Sequence, residues 1–186
     1  MYTYPVEIAV PSVSIEAESV RDVAAREALL DRAMGPGRKR KSSERIRRGR
    51  RPAEGLALVA RGDGGHVVGT VRLWDVEAGG RRALLLGPLA VEPTVKSAGI
   101  GSALMRHAIA EAARLGHGAI LLVGDAPYYA RFGFSAEKTD RLSMPGPFEK
   151  HRFLAVELEE GALAGAEGVL KAAGRRTEAS DVALAA

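Results

Sequence analysis

The spacing of apolar positions changes repeatedly along this chain, and each change marks the border of a predicted element. Residues 5–15 read as extended. Over residues 18–34, Val20, Val23, Ala24, Leu29 and Leu30 form an imperfect helical stripe that the Gly35-Pro36-Gly37 run closes. A second short helix is predicted from Ser42, whose hydroxyl could cap it. Residues 56–60 and 67–74 read as two strands. The Arg61-Gly62-Asp63-Gly64-Gly65-His66 stretch between them suits a hairpin, because glycine tolerates positive φ, and puts His66 on a surface turn. After the Ala78-Gly79-Gly80 turn, residues 82–91 form a third, more apolar strand, which predicts a place near the middle of the sheet. A helix follows with Leu104, Ala108, Ala112 and Leu115 on one side and Gly116 placed to stop it. Residues 119–123 are a further apolar strand, and a last strand at about residues 152–158 leads into an Ala/Gly-rich helix or tail. The alternation predicts a mixed α/β fold.

With 186 residues, 46% of them hydrophobic, the chain has the length and the core material of one domain. The expected division is a single domain over residues 1–174 and a mobile tail over 175–186. Cysteine is absent, which excludes a disulfide framework, a thiolate zinc site and a cysteine nucleophile together. The first ten residues carry no basic segment followed by a long apolar run, and no stretch approaches the roughly 18 apolar residues of a membrane span. A cytoplasmic protein without membrane attachment is expected.

The formal charge of +4 is unevenly placed. Nine basic residues lie between Arg38 and Arg51 against one acid, Glu44, so this segment carries +8 and the remainder of the chain −4. The plain reading is a solvated helix with its flanking loop. Attraction of an acidic partner, such as cofactor phosphates, an anionic substrate or RNA, is the alternative. Aromatic residues for base stacking are not interleaved with the charges, so nucleic acid is not the expected partner.

Candidate chemistry begins at the end of the third strand. Val91-Glu92-Pro93 runs into Lys96-Ser97-Ala98-Gly99-Ile100-Gly101-Ser102 and then the helix. Strand, glycine loop and helix make an anion-binding arrangement. The first helical turn has unpaired N–H groups and the positive end of the dipole, and glycines let a diphosphate come close. A phosphate loop of the GxxxxGK[ST] type is excluded, since the chain has no Gly-Lys pair. A dinucleotide fingerprint would need its third glycine at Leu104 and an acid near residues 119–121, where Ala, Ile and Leu stand.

These residues resemble the GNAT superfamily of acyl-CoA-dependent N-acyltransferases. The family's Q/R-x-x-G-x-G/A signature is matched by Lys96-x-x-Gly99-x-Gly101, with Lys96 in place of Gln or Arg and with Ser97 and Ala98 where a glycine and an arginine are common. That exchange removes one side-chain contact to a pyrophosphate and leaves the backbone donors. Downstream, Asp125-Ala126-Pro127-Tyr128-Tyr129-Ala130-Arg131-Phe132-Gly133-Phe134 looks like the family's Y-x-x-x-G-F segment, with Tyr129 at the tyrosine position. The order and spacing of the two motifs make the resemblance specific over about residues 55–158, and the strings LLLGPLAV and VGDAPYYARFGF look like a bacterial subgroup of mostly unassigned substrate.

The resemblance implies a mixed, mostly antiparallel twisted sheet of six or seven strands flanked by helices, and acetyl-CoA as donor substrate with no metal. It places the cofactor's amide arm along Leu89, Ala90 and Val91, and its pyrophosphate on Lys96, Ser97, Ala98, Gly99, Ile100, Gly101 and Ser102. It makes Tyr129 the catalytic residue, donating a hydrogen bond to the departing sulfur, and leaves Tyr128 to be structural or to line the acceptor pocket. A thiol of pKa about 8.5 is more acidic than a phenol of about 10, so full proton transfer is uphill by roughly 2 kcal/mol, and charge stabilisation matters at least as much as acid catalysis. A lysine-like amine costs roughly 4.6 kcal/mol to neutralise at pH 7 and an α-amino group roughly 1, so a base is useful. The nearest acids are Glu92, which precedes a proline, and Asp125, placed to cap a short helix begun by Pro127; neither is assigned as the base. His66, His107, His117 and His151 have no metal-ligand spacing.

The acceptor, a small-molecule or peptide amine, is shaped in the family by the first two helices and the loop before the last strand, here residues 18–51 and 142–152. Should the basic helix face that cleft, an acidic acceptor follows. A homodimer follows by analogy only. The reading is therefore an acetyl-CoA-dependent N-acetyltransferase acting by direct attack in a ternary complex. A non-catalytic acyl-CoA sensor and a nucleic-acid module centred on residues 38–51 are the alternatives.

Overall fold

The computed structural model describes residues 13–95 and 98–177. Its elements are β1 (Ser14–Ala17), α1 (Val23–Met34), α2 (Ser42–Arg47), β2 (Ala57–Arg61), β3 (Val67–Ala78), β4 (Arg81–Val91), α3 (Ile100–Arg114), β5 (Ala119–Val123), α4 (Ala126–Ala130), β6 (Leu142–Ser143), β7 (Phe153–Glu157), β8 (Gly168–Val169) and β9 (Lys171–Ala172). Most of the extended segment expected at residues 5–15 lies outside the described residues. A 3-10 turn, Val20–Asp22, leads into α1, and Gly35 at φ 73° ends it. The expected hydroxyl cap on α2 is not made: Lys41 is the N-cap position and Ser42 is already helical.

The main sheet runs β1-β2-β3-β4-β5-β7, with β9 beside the far end of β3. Its pairings are antiparallel except that of β4 with β5. This is the mixed, mostly antiparallel sheet flanked by helices, and β4 lies inside it, as its apolar run predicts. Side-chain alternation divides the strands between two cores. Leu58, Ala60, Leu84, Leu86, Ile120 and Leu122 pack under Leu104, Met105, Ala108 and Ala112 of α3. On the other face Ala83, Leu85, Ala119 and Leu121 pack against Ile46 of α2, and Leu29 of α1 meets Val59 and Val67. Gly69 permits the close seat of α3: a Cβ there would be 2.9 Å from Leu104 and 3.1 Å from Ile100.

Two expectations need correction. Leu115 is not part of the buried stripe; α3 ends at Arg114 and Leu115 is 39% exposed beside Gly116 at φ 80°. After β7 the described chain forms no helix. Gly161, Gly165 and Gly168 hold positive φ at roughly helical spacing, which breaks any continuous turn, and the chain instead returns to pair as β8 with β6 and as β9 with β3. The head of the expected tail is bound as well: Arg51 N donates to Arg175 O at 2.8 Å and Thr177 N to Gly49 O at 3.0 Å. Residues 178–186 lie outside the described part. Among the described residues no helix is long and apolar enough to cross a membrane.

Candidate functional site

The site begins with a defect in β4. Val71 faces Leu89 and Leu73 faces Leu86, so Arg72 opposes both Gly87 and Pro88. This is a β-bulge, with Gly87 at φ 137° and its carbonyl accepting a 2.6 Å hydrogen bond from the Trp74 indole. A bulge bends its strand, and here the bend separates neighbours. β4 and β5 pair only at Leu84–Ile120 and Leu85–Leu121; beyond that β4 follows β3 while β5 follows β7 as far as Val123–Phe153. The gap-facing edge of residues 89–91 has no strand partner among the described residues, leaving main-chain groups for an extended, amide-bearing ligand.

On the α3 side of the gap lies a cavity of about 480 Å³, lined by Leu89, Ala90, Val91, Gly99, Ile100, Gly101, Ser102, Tyr128 and Arg131. Gly99, in the left-handed region at φ 79°, turns the chain into α3, and its carbonyl takes the first helical hydrogen bond from Ala103 N at 2.9 Å. The amides of Ile100, Gly101 and Ser102 precede that bond and so lack a partner within the helix, and all three residues line the cavity at the positive end of a 15-residue helix. Seven of the sequence-predicted donor residues are therefore gathered at this cavity. Ala98 adjoins it without lining it, and Lys96 and Ser97 lie outside the described residues.

Tyr128, expected to be structural or to line the acceptor pocket, instead lines this cavity, as does Arg131, which sequence reasoning missed. A Cβ on Gly101 would be 3.0 Å from the Tyr128 hydroxyl, so that phenol stands directly over the helix start. The Arg131 guanidinium stacks on the Tyr128 ring at 4.3 Å and its Nε donates to Tyr128 O at 3.1 Å. Their i,i+3 spacing just after the helix-starting Pro127 was the available signal.

Tyr129 points the other way. Its ring lies on the bare backbone of Gly124, where a Cβ would come within 2.2 Å, and it meets Tyr128 edge-on at 4.9 Å and Phe134 at 6.0 Å. Burial pushes its pKa up to about 12, with Tyr128 and Asp125 adding to the shift and Arg152 opposing it. The phenol therefore keeps its proton throughout the neutral and mildly alkaline range.

Tyr129 lines a second cavity, about 90 Å³, on the face that α1 and α2 cover. Leu85, Leu86, Gly87, Pro88, Leu89, Leu122 and Val123 form its floor, and Met34, Arg38, Lys41, Ser43 and Arg47 its cover. Leu89 lines both cavities. The basic segment is thus not simply a solvated face. Arg38 pairs with Asp31 at 2.7 Å and with Glu27, Arg45 donates to Pro145 O at 3.0 Å, and Arg50 donates to Gly174 O at 2.6 Å. The Arg47 side chain, 11% exposed, pairs with Glu44 at 3.2 Å and would touch a Gly87 Cβ at 3.5 Å. Burial pushes its guanidinium below the ordinary arginine value, against Glu44 and with repulsion from Arg38 and Arg72.

The acids near the gap are elsewhere. Glu92 is held by Arg32 at 2.7 Å and 3.1 Å, and Asp125 is an exposed N-cap whose side chain makes no capping bond. No carboxylate lines either cavity. His66, His107 and His151 are exposed, and the described residues include no group of three side chains placed to hold a metal.

Residues 53–136 match the acetyltransferase (GNAT) domain. The uncharacterised N-acetyltransferase YhbS of Escherichia coli K12 is 30% identical over 118 residues, which is 62% of this chain and 71% of YhbS. This chain belongs to the GNAT family. The crystal structure of Escherichia coli YhbS in complex with CoA superposes with a TM-score of 0.73 at 25% identity, covering 93% of this chain and 94% of that one. A GNAT acetyltransferase of Brucella melitensis in complex with acetyl-CoA gives a TM-score of 0.61, also at 25% identity, over 91% and 97% of the two chains. Every residue lining the α3-side cavity falls within the GNAT match. Met34, Arg38, Lys41, Ser43 and Arg47 precede it.

Proposed function

We propose that this GNAT protein transfers an acetyl group from acetyl-CoA to a primary amine by direct attack in a ternary complex. The observation that carries the reading is the pair of cavities that share Leu89 beside the β4–β5 gap, one holding the glycine loop and the other Tyr129. One cavity suits the donor and the other the acceptor, so the two substrates meet without a covalent intermediate on the protein, in keeping with the absence of cysteine. The CoA and acetyl-CoA complexes of the two structural neighbours support the donor.

The amides of Ile100, Gly101 and Ser102 would bind the pyrophosphate, with Arg131 supplying a cation that the loop lacks at Ala98. The free edge of Leu89, Ala90 and Val91 would pair with the amide arm and bring the thioester to the gap, where the acyl carbon accepts the amine and the sulfur leaves. Tyr129 would donate a hydrogen bond to that sulfur. With the phenol at about 12 and a thiol near 8.5, complete transfer is uphill by about 5 kcal/mol. Tyr129 therefore stabilises developing negative charge and keeps its proton, and the thiol takes its proton from the amine or from solvent.

Calorimetric titration of acetyl-CoA into the wild-type protein, followed by an amine screen with thiol-release detection, tests the reading. Micromolar binding with amine-dependent thiol release is the expected result. No binding of acetyl-CoA overturns the reading, and binding without release by any amine turns it into that of an acyl-CoA sensor.

A further inference from the structure

The acceptor side has a charge pattern that narrows its substrate. Arg38, Lys41 and Arg47 line the cavity, while the carboxylates that pair with two of them, Glu27, Asp31 and Glu44, do not. Lys41 makes no ion pair or side-chain hydrogen bond with any described residue, and it lies in the segment that carries nine cations against one acid. A buried guanidinium in this setting gains from an anion brought against it, since the only carboxylate it pairs with among the described residues sits three residues before it on its own helix. The same three cations disfavour a bound ammonium group, so they lower the cost of freeing the amine in a cavity that no carboxylate lines. A cationic polyamine would meet repulsion here, and an amine tethered by its own anionic group would not.

Building on the transferase reading, we infer that the acceptor is a small amine bearing a carboxylate, bound by Lys41 and Arg47 so that its amine faces the gap at Leu89 and Tyr129. The cavity's modest size, about 90 Å³, fits a compact group better than a bulky ring system.

The test compares glycine, β-alanine and γ-aminobutyrate, each with its primary amide, and spermidine, by steady-state thiol release corrected for the free-amine fraction. At least one amino acid should exceed its amide tenfold or more in kcat/KM. Lys41→Gln and Arg47→Gln should each reduce that ratio at least threefold; Lys41 is exposed, so its variant keeps the test informative if the Arg47 variant fails to fold. Preference for the amides or spermidine, a ratio unmoved in folded variants, or no turnover of any panel member by protein that binds acetyl-CoA would overturn the inference. If acetyl-CoA itself does not bind, the transferase reading falls. Calorimetry of each acid against its amide, in wild-type and Lys41→Gln protein, then decides the anion site separately: selective binding lost in the variant upholds it, and equal or absent binding refutes it.

Discussion

The two cavities share Leu89 and are built by opposite means. The α3-side cavity is built from main chain: glycines at residues 99 and 101, the first amides of a long helix and an unpaired strand edge, with Arg131 as its lining cation. The α2-side cavity is built from side chains, three of them cationic, over an apolar floor. A site made of amides survives exchange of its side chains, because the N–H groups and the helix dipole remain whatever Cβ carries. That is how Lys96, Ser97 and Ala98 can depart from the family's pattern while Gly99 and Gly101 keep it. A site made of side chains changes with each substitution, and five of its lining residues lie outside the stretch matched by the GNAT domain.

Variants that strike one side only test this contrast. The largest effect is expected for Gly101→Glu, whose carboxylate would crowd the Tyr128 hydroxyl and repel a diphosphate. Acetyl-CoA affinity should fall a hundredfold or more by calorimetry; unchanged affinity would show that the phosphates bind elsewhere. Next in size is the proton on Tyr129. A phenol raised from about 10 in the unfolded chain to about 12 binds its proton more tightly when folded, so its contribution to stability is complete below pH 10 and is lost as pH rises to 12. Urea unfolding should lose about 2 kcal/mol over that window beyond what Tyr129→Phe loses, and parallel curves for the two proteins would refute the shift. The same Tyr129→Phe substitution should lower kcat about tenfold or more with little change in acetyl-CoA affinity; undiminished turnover would mean that another group handles the sulfur. The smallest effect belongs to Arg131→Gln. Donor affinity should weaken about fivefold with a shallower salt dependence, as befits an exposed charge, and an equal loss at high and low salt would deny it a role at the phosphates.

Much of the scaffold was legible in the sequence. Residues 119–122 alternate between the two cores and so are apolar throughout; the predicted strand and β5 coincide, ending at the exposed Val123. The hairpin around Gly64 and Gly65 and the helix stops at Gly35 and Gly116 were equally readable, since positive φ has a residue-level cause. Leu115 stands one residue past the end of α3, where Gly116 turns the chain away from the buried stripe, and the helix offered for the Ala/Gly-rich stretch after residue 158 does not form. Helical spacing and Ala content describe what a segment could do alone, and tertiary pairing of β8 and β9 decided otherwise. Tyr128 and Tyr129 show the same boundary at the site. Adjacent on a short helix, they line different cavities, and no one-dimensional pattern assigns which lines which.

The glycine loop, the tyrosine segment and the order of elements can be read locally, because each depends on dihedral preference or on nearby apolar spacing. Packing set the opening of the gap beside β5 at the bulge of Gly87 and Pro88, and the reach of Arg131 to the helix start. It alone turned Arg38, Lys41 and Arg47 from a charge run into the lining of a cavity. These features rest on contacts between residues tens of positions apart. Charge along a chain records how many cations there are, and only packing determines which of them meet solvent and which meet a ligand.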